Sequence, residues 1–208
     1  MVNHNLAIFY FDIGNLQNAE NSCARTLWFN EDHIGSHDLM GNIYFHQREH
    51  EMSLEEFKRI LEIDEGNANA HYNLGSVYHE LNDWANAEQQ WKKAIECEKK
   101  KVKIEREQDF TEKELEYSVT VRKRPVSFLS HQSLGKLYIH LGLLGKAVVE
   151  FESAIDLRPG EAEPYLDLGK AYYKKGEIEK AVFYLDKYVY LGGEKEKEAK
   201  KLLDELRK

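Results

Sequence analysis

A short pattern of apolar and small residues recurs at a spacing of 34 residues, and it constrains the fold more than any other feature of the chain. The pattern is Leu-Gly-x-x-Tyr, followed on the next segment by Ala, a large apolar residue and a second Ala. It occurs at Leu74–Tyr78, Leu134–Tyr138 and Leu168–Tyr172, and weaker copies lie at Met40–Tyr44 and Leu6–Tyr10. A repeat of this length predicts helical hairpins that stack along one continuous core.

The residues that follow the strong copies resemble those of the tetratricopeptide repeat (TPR) family. They are Ala87, Trp91 and Ala94 after the first copy, and Ala147, Phe151, Ala154 and Pro159 after the second. The resemblance implies an all-α fold, a right-handed α-solenoid of five TPR helix-turn-helix units with a C-terminal capping helix. Gly75, Gly135 and Gly169 on the first helices are expected to face Ala87, Ala147 and Ala181 on the second, because small residues let two helices approach closely.

The period divides residues 1–208 as a single solenoid domain. Its predicted parts are repeats 1–33, 34–67, 68–101, 128–161 and 162–195, an insertion at 102–127 and a capping helix at 195–208. Around the insertion, Lys99–Gln108 is expected to prolong the preceding helix, Thr111–Glu114 fits a capping box, and 117–121 is expected to be extended. Two interpretations of this segment stay open, a tolerated loop insertion and a docking element for a partner.

Charge and cysteine content exclude several classes of protein. A net charge of −8 disfavours a nucleic-acid-binding protein, which usually carries a basic stripe. Two cysteines imply no disulfide framework; Cys23 falls at a core position, and Cys97 is expected to be more exposed. The sequence contains no recognisable signal peptide or membrane-spanning stretch, so a cytoplasmic protein without direct membrane insertion is expected.

The apolar run Leu6–Phe11 in the first repeat predicts a surface that something else covers, because a terminal repeat normally has a polar outer face. We expect further repeats, a partner component or a second copy of the chain at this surface. If the chain is a piece of a longer protein, an upstream segment could place it outside the cytoplasm.

No pattern in the sequence predicts an enzyme. There is no nucleophile motif, Gly-rich phosphate loop or Cys-pair metal signature. The pairs His33/His37 and His46/His50 have the spacing that can hold a metal on one helix face, but they lie at loop boundaries without an evident third ligand. We therefore predict no catalytic residue, no cofactor and no metal site.

The family resemblance also implies a binding surface, because the first helices of TPR units line a concave groove. The predicted groove residues are Asn5, Asp38, Asn42, Phe45, Tyr72, Asn73, Ser76, His79, Gln132, Lys136, Lys170 and Tyr173. Amides and hydroxyls can satisfy the backbone of an extended peptide, while aromatic rings pack on its side chains. On the groove side Asp38 and Glu80 lie early and Lys136, Lys170 and Lys174 lie late, so the groove is expected to be electrically polar along its length.

The carboxylate clamp by which some TPR domains bind acidic chaperone tails is predicted to be absent. Asn42 and Asn73 occupy its two Asn positions and could still grip a peptide backbone. However, Asp38 stands where the clamp has a Lys, and Leu129 and Ser133 stand at its later basic positions. A free C-terminal carboxylate would therefore meet an anion in place of its cations.

The sequence thus predicts a non-catalytic scaffold that binds an extended peptide or protein segment in its groove. One alternative is an accessory TPR module of a larger enzyme or membrane-associated assembly. The other is a scaffold that self-associates through repeat 1 or through the 102–127 insertion. The expected partners are proteins or peptides, and no nucleic acid.

Overall fold

The structure, a computed structural model, describes residues 2–107 and 125–207, and this part of the chain contains eleven α-helices and no strand. The helices are α1 (Val2–Asp12), α2 (Leu16–Phe29), α3 (Ile34–Gln47), α4 (His50–Ile63), α5 (Ala68–Glu80), α6 (Trp84–Glu107), α7 (Val126–His140), α8 (Leu144–Leu157), α9 (Glu163–Lys175), α10 (Ile178–Tyr190) and α11 (Glu196–Leu206). The predicted all-α hairpin architecture is confirmed. The chain forms two compact units, unit 1 at Met1–Lys101 and unit 2 at Val102–Lys208. The single-domain boundaries stay a prediction.

Each hairpin turns through one left-handed residue, which lies four places after the tyrosine of the repeat pattern. These residues are Gly14, Arg48, Asn82, Gly142 and Gly176. The next backbone N–H then donates to the carbonyl of that tyrosine, as from Glu177 to Tyr172 at 3.0 Å. This bond ends the first helix in a Schellman-type motif and directs the chain into the second helix.

The nearest group to each glycine of the pattern is a large side chain of its own hairpin, and an atom of the predicted alanine is among the three nearest only at Gly169. A Cβ added to Gly75 would lie 2.6 Å from Cδ1 of Trp91, and one on Gly135 would lie 2.5 Å from Cε1 of Phe151. Leu185 takes the same place opposite Gly169, where the backbone oxygen of Ala181 is the third-nearest atom, at 3.4 Å. The side chain opposite each glycine therefore lies one helical turn later than predicted. It is a ring or a leucine, four residues beyond the buried alanine.

Within unit 1, apolar clusters join each hairpin to the next. Residues of repeats 1 and 2 form one cluster, in which Cys23 lies fully buried beside Ala19 and Ile43, as predicted for that cysteine. Phe57 and Ile60 of repeat 2 pack with Leu74 and its neighbours in repeat 3. A core shared between neighbouring repeats is the expected way for a hairpin to bury a face that it cannot cover alone.

The last helix, α11, covers the end of repeat 5 in the region predicted for a capping helix. Its Ala199 and Leu203 lie in one apolar cluster with Tyr188. Tyr188 is fully buried, and its hydroxyl accepts a hydrogen bond from the Lys195 backbone N–H at 2.6 Å. A side chain on Gly193 would collide with the Tyr188 ring. Tyr188, which departs from the repeat pattern, therefore packs against the segment that leads into α11.

The helix α6 continues past repeat 3 to Glu107, in agreement with the expected prolongation after Lys99. The capping box at 111–114 and the extended stretch at 117–121 lie outside the described residues. In repeat 5, Pro164 occupies the first turn of α9, where its missing N–H costs no helical hydrogen bond.

Candidate partner-binding surface

The first helices of the repeats bury one side and leave a polar stripe on the other. In α9 the buried residues include Leu166, Leu168 and Tyr172, whereas Lys170 is half-buried and Tyr173 is exposed. The same division holds for α3, α5 and α7. A helix with one packed face and one accessible face can present side chains to a partner without loss of its core.

The twelve predicted groove residues all lie on first helices and outside the buried core. Asn5, Lys136 and Tyr173 are exposed, and half-buried positions are held by Asp38, Asn42, Phe45, Tyr72, Asn73, Ser76, His79, Gln132 and Lys170. The first eight in chain order belong to unit 1, and Gln132, Lys136, Lys170 and Tyr173 belong to unit 2. A role for them in binding a partner stays a prediction.

Three of these residues form a hydrogen-bonded group in unit 1. Asn73 Nδ2 in α5 donates to Asp38 Oδ1 in α3 at 3.0 Å. Asn42 Nδ2 donates to the Asp38 backbone carbonyl at 2.7 Å and lies 3.5 Å from Asp38 Oδ2. Burial raises the pKa of the Asp38 carboxyl, and the hydrogen bond from Asn73 opposes that rise. Both amides already donate hydrogen bonds to Asp38. They can bind a peptide backbone, as predicted, only if these hydrogen bonds break.

The lysines of unit 2 also pair with carboxylates of the next first helix or of α11. Lys136 Nζ lies 3.7 Å from Asp167 Oδ2, and Lys170 Nζ donates to Glu198 Oε1 at 2.7 Å. Burial raises the pKa of Asp167, and Lys136 and Lys170 oppose that effect. Much of the positive charge expected late in the groove is therefore balanced within unit 2 itself.

Two aromatic groove residues make ring contacts with neighbouring side chains. Phe45 packs edge-on against His50, with ring centroids 6.0 Å apart. His79 packs edge-on against Trp84 at 5.1 Å and contacts Trp91 at 5.7 Å. These contacts fix the ring positions and leave only part of each ring for a partner.

A polar joint, which was not predicted from the sequence, recurs at the residue seven places before the repeat tyrosine. His37 Nδ1 lies 2.6 Å from Glu56 Oε2, and His37 Nε2 lies 2.7 Å from the carbonyl oxygen of Glu31. In the next repeat, His71 makes the equivalent contacts with Gln90 at 2.7 Å and with the Glu65 carbonyl at 3.2 Å. Each histidine thus ties its own second helix to the end of the preceding repeat.

The same joint has two further forms in unit 2. His131 Nδ1 lies 2.7 Å from Glu150 Oε2. In repeat 5 a tyrosine replaces the histidine: the Tyr165 hydroxyl donates to the Pro159 carbonyl at 3.0 Å, and its ring contacts that of Tyr184. The recurrence of His37 and His71 one period apart was the signal that could have revealed this joint.

The two histidine pairs that suggested a metal have other roles in the structure. His33 caps α3 by accepting from the Ser36 N–H at 3.1 Å, and His37 belongs to the polar joint. His46 lies against Phe11, and His50 lies against Phe45. Among residues 2–107 and 125–207, no three His, Cys, Asp or Glu side chains come together as a metal site. No helix in these same ranges has the length and apolar character needed to cross a bilayer.

Comparison with known proteins agrees with this architecture. Family models described as TPR repeat match residues 41–82 and 135–176, and models described as tetratricopeptide repeat match 68–101 and 162–192. Together they match more than half of the chain. This chain belongs to the tetratricopeptide repeat family. No curated protein matches its sequence.

Solved structures share the TPR fold at low sequence identity. The MamA protein superposes with a TM-score of 0.68 at 21% identity, over 96% of this chain and 93% of that chain. Pseudomonas aeruginosa PilF gives a TM-score of 0.73 at 19% identity, over 99% and 87%. YrrB, a TPR protein with an unusual peptide-binding site, gives 0.60 at 20% identity, over 91% and 84%. These likenesses establish the fold.

Proposed function

We propose that this TPR protein is a non-catalytic scaffold that holds an extended segment of another protein against its first helices. The observation that carries the proposal is the accessible stripe of amide, hydroxyl, charged and aromatic side chains on those helices, opposite the face with which α3, α5, α7 and α9 pack into the core. Side chains of this kind can bind both the backbone and the side chains of a peptide. Membership of the TPR family and the resemblance to the peptide-binding TPR protein YrrB support the same function.

The test is affinity capture from the source lysate with matched pairs of variants. In unit 2, Tyr173→Ala removes an aromatic ring from first helix α9, and Phe183→Ala removes one from second helix α10, where the residues are 44% and 64% exposed. In unit 1, Ile8→Ala on α1 and Met52→Ala on α4 form the second pair, at 41% and 42% exposure. We expect partner proteins to be lost with a first-helix variant and retained with its second-helix control. Equal retention by all four variants would contradict binding at the first helices.

Acidic C-terminal tails of the chaperone type are not expected among the ligands. The Asn73 amide is held by Asp38, and that carboxylate repels a second anion. A synthetic tail peptide with a free carboxylate should show no saturable binding in a titration. Micromolar affinity that disappears in Asn73→Ala would show that the clamp operates in spite of Asp38.

A second candidate function, self-association or docking of another domain through repeat 1, is favoured by the apolar surface of that repeat. Trp28 and Phe29 at the end of α2 are 86% and 82% exposed, and Phe9 on α1 is 55% exposed. Exposed apolar groups of this size mark interaction surfaces. Light scattering over a range of protein concentrations, repeated with Trp28→Ser, should show an increase in mass that the substitution abolishes. A constant monomer mass would contradict self-association, and a different protein would then be the remaining candidate to cover this surface.

A further inference from the structure

The first helices of unit 1 carry no cationic residue other than histidine. Helices α1, α3 and α5 contain Asp12, Asp38 and Glu80, and neither Lys nor Arg. In contrast, the unit 2 helices α7 and α9 contain four lysines. A ligand that crosses the first helices of unit 1 therefore meets carboxylates with no lysine or arginine among them.

The surroundings of these helices are acidic as well. Residues 1–101 include seventeen Asp or Glu and nine Lys or Arg. One of the nine, Arg59, is bound by Asp32 and Glu62, each at 2.8 Å. Such an excess of one charge attracts ligands of the opposite sign and accelerates their association.

Asp38 is a carboxylate of this surface whose hydrogen-bond partners are neutral. It is half-buried on α3, and its hydrogen bonds come from the neutral amides of Asn73 and Asn42. Among the described residues, no Lys or Arg forms an ion pair with Asp38, whereas Asp167 in unit 2, one repeat position later, lies 3.7 Å from Lys136 Nζ. Neutral amides satisfy lone pairs but do not balance the charge, so a carboxylate in this position is stabilised by an added cation.

Apolar surface accompanies this charge. Ile8 on α1 is 41% exposed, and half-buried Phe45 and Tyr72 lie on the same first helices as Asp38 and Asn73. Lys and Arg side chains combine a charged head with an aliphatic stem that packs on apolar surface. This combination suits a basic peptide better than an inorganic cation.

We propose that unit 1 binds a basic segment of a partner protein and that Asp38 receives one of its Lys or Arg side chains. The inference rests on the proposed scaffold function and adds the chemical class of the ligand. Asn73 and Asn42 then act as positioning residues, since they orient the Asp38 carboxylate. An Arg side chain would form the stronger contact, because its planar fork matches the two carboxylate oxygens.

The experiment is a fluorescence anisotropy titration of the full chain with two labelled synthetic peptides. In one, Arg alternates with Leu and Ser; in the other, Glu replaces each Arg. The matched variants are Asp38→Asn and Glu55→Gln, which each remove one negative charge, the first from α3 and the second from an exposed position on α4. We expect the Arg peptide to bind and Asp38→Asn to weaken it about tenfold or more, with a change of less than about twofold in Glu55→Gln.

Charge reversal provides a second, independent readout. Asp38→Lys should reject the Arg peptide and gain affinity for the Glu peptide, and circular dichroism checks that each variant stays folded. Equal weakening by Asp38→Asn and Glu55→Gln, or preference of the unmodified chain for the Glu peptide, would overturn the inference. If a captured partner is lost with the first-helix variants but binds equally well to Asp38→Asn, the scaffold function stands and the basic-ligand assignment fails.

Discussion

The ring of Phe151 lies so close to Gly135 that a methyl group on the glycine would be 2.5 Å from Cε1 of the phenylalanine. Gly135→Ala should therefore lower the free energy of unfolding by about 1–3 kcal/mol, the usual range for overpacking a filled core. Phe151→Leu in the same chain should recover part of the loss, since repeat 5 uses Leu185 at this place. Denaturant unfolding of both single variants and the double variant measures the coupling, and strictly additive effects would show that the two residues do not compete for space.

At Arg48, in contrast to Gly135, it is the introduction of a glycine that is expected to stabilise the chain. Its φ of 63° is left-handed, whereas three of the five equivalent turn residues are glycines. Arg48→Gly should raise the free energy of unfolding by about 0.5–1 kcal/mol, because relief of the left-handed strain outweighs the added freedom of the unfolded chain.

The control for this effect is Gly142→Ala. Gly142 has a φ of 72° and open space where a Cβ would lie, so only backbone strain acts there. Thermal melting should show a decrease for Gly142→Ala and an increase for Arg48→Gly. A decrease in both would indicate that the Arg48 side chain makes a contact worth more than the strain.

Substitutions of His37 and Glu56 are expected to have strongly coupled effects on the free energy of unfolding. His37→Leu leaves the Glu56 carboxylate and the Glu31 carbonyl without their imidazole partner and should destabilise the chain by about 1–3 kcal/mol, the range for a polar group that loses its hydrogen-bond partner. Adding Glu56→Leu should restore much of this loss, because no unpaired charge then remains. Equal instability of the single and double variants in urea unfolding would contradict this account.

Burial of Asp38 predicts a pH-dependent effect of its replacement. Burial raises the pKa of Asp38 above its ordinary value of 3.8, so the folded chain keeps this proton at pH values where the unfolded chain has lost it. Stability from this group therefore falls as pH rises through the window between 3.8 and the raised pKa, and the loss persists above it. Asp38→Asn should be more stable than the unmodified chain at pH 7 and equally stable below pH 3.8. Lower stability of the variant at pH 7 would show that the ionised carboxylate stabilises the fold.

The two thiols should differ in reactivity. Burial raises the pKa of Cys23 to about 12, with Glu56 and Glu20 adding to the effect, and the side chain is fully buried. Cys97 is half-buried, and burial also raises its pKa. Since the thiolate is the reactive form, a disulfide reagent should modify Cys97 slowly in the folded chain and Cys23 only after unfolding. Modification of Cys23 before loss of helical signal would indicate local opening of repeat 1.

The hairpins could be predicted because apolar spacing and turn residues are local properties of the sequence. The partner of Gly75 could not, because spacing within two helices does not specify their relative shift along the axis. That shift places Trp91, and not Ala87, opposite the glycine. Likewise, the repeat positions placed Asp38 and Asn73 on one surface, whereas the hydrogen bond between them depends on side-chain geometry across neighbouring helices. The role of His37 shows in the sequence only through the recurrence of histidine at His71, one period later, and not through the spacing to its neighbour His33.

The acceptor used by His37, His71 and Tyr165 at the repeat boundary is a backbone carbonyl, supplied by Glu31, Glu65 and Pro159. A backbone group offers the same chemistry whichever amino acid carries it, and the side-chain partners Glu56, Gln90 and Tyr184 come from the same repeat as the anchoring residue. Repeats 2, 3 and 5 therefore each supply the side chains of this contact themselves and need only a backbone carbonyl from the preceding repeat. At this contact, such a repeat can be duplicated or transplanted without a compensating substitution in its neighbour.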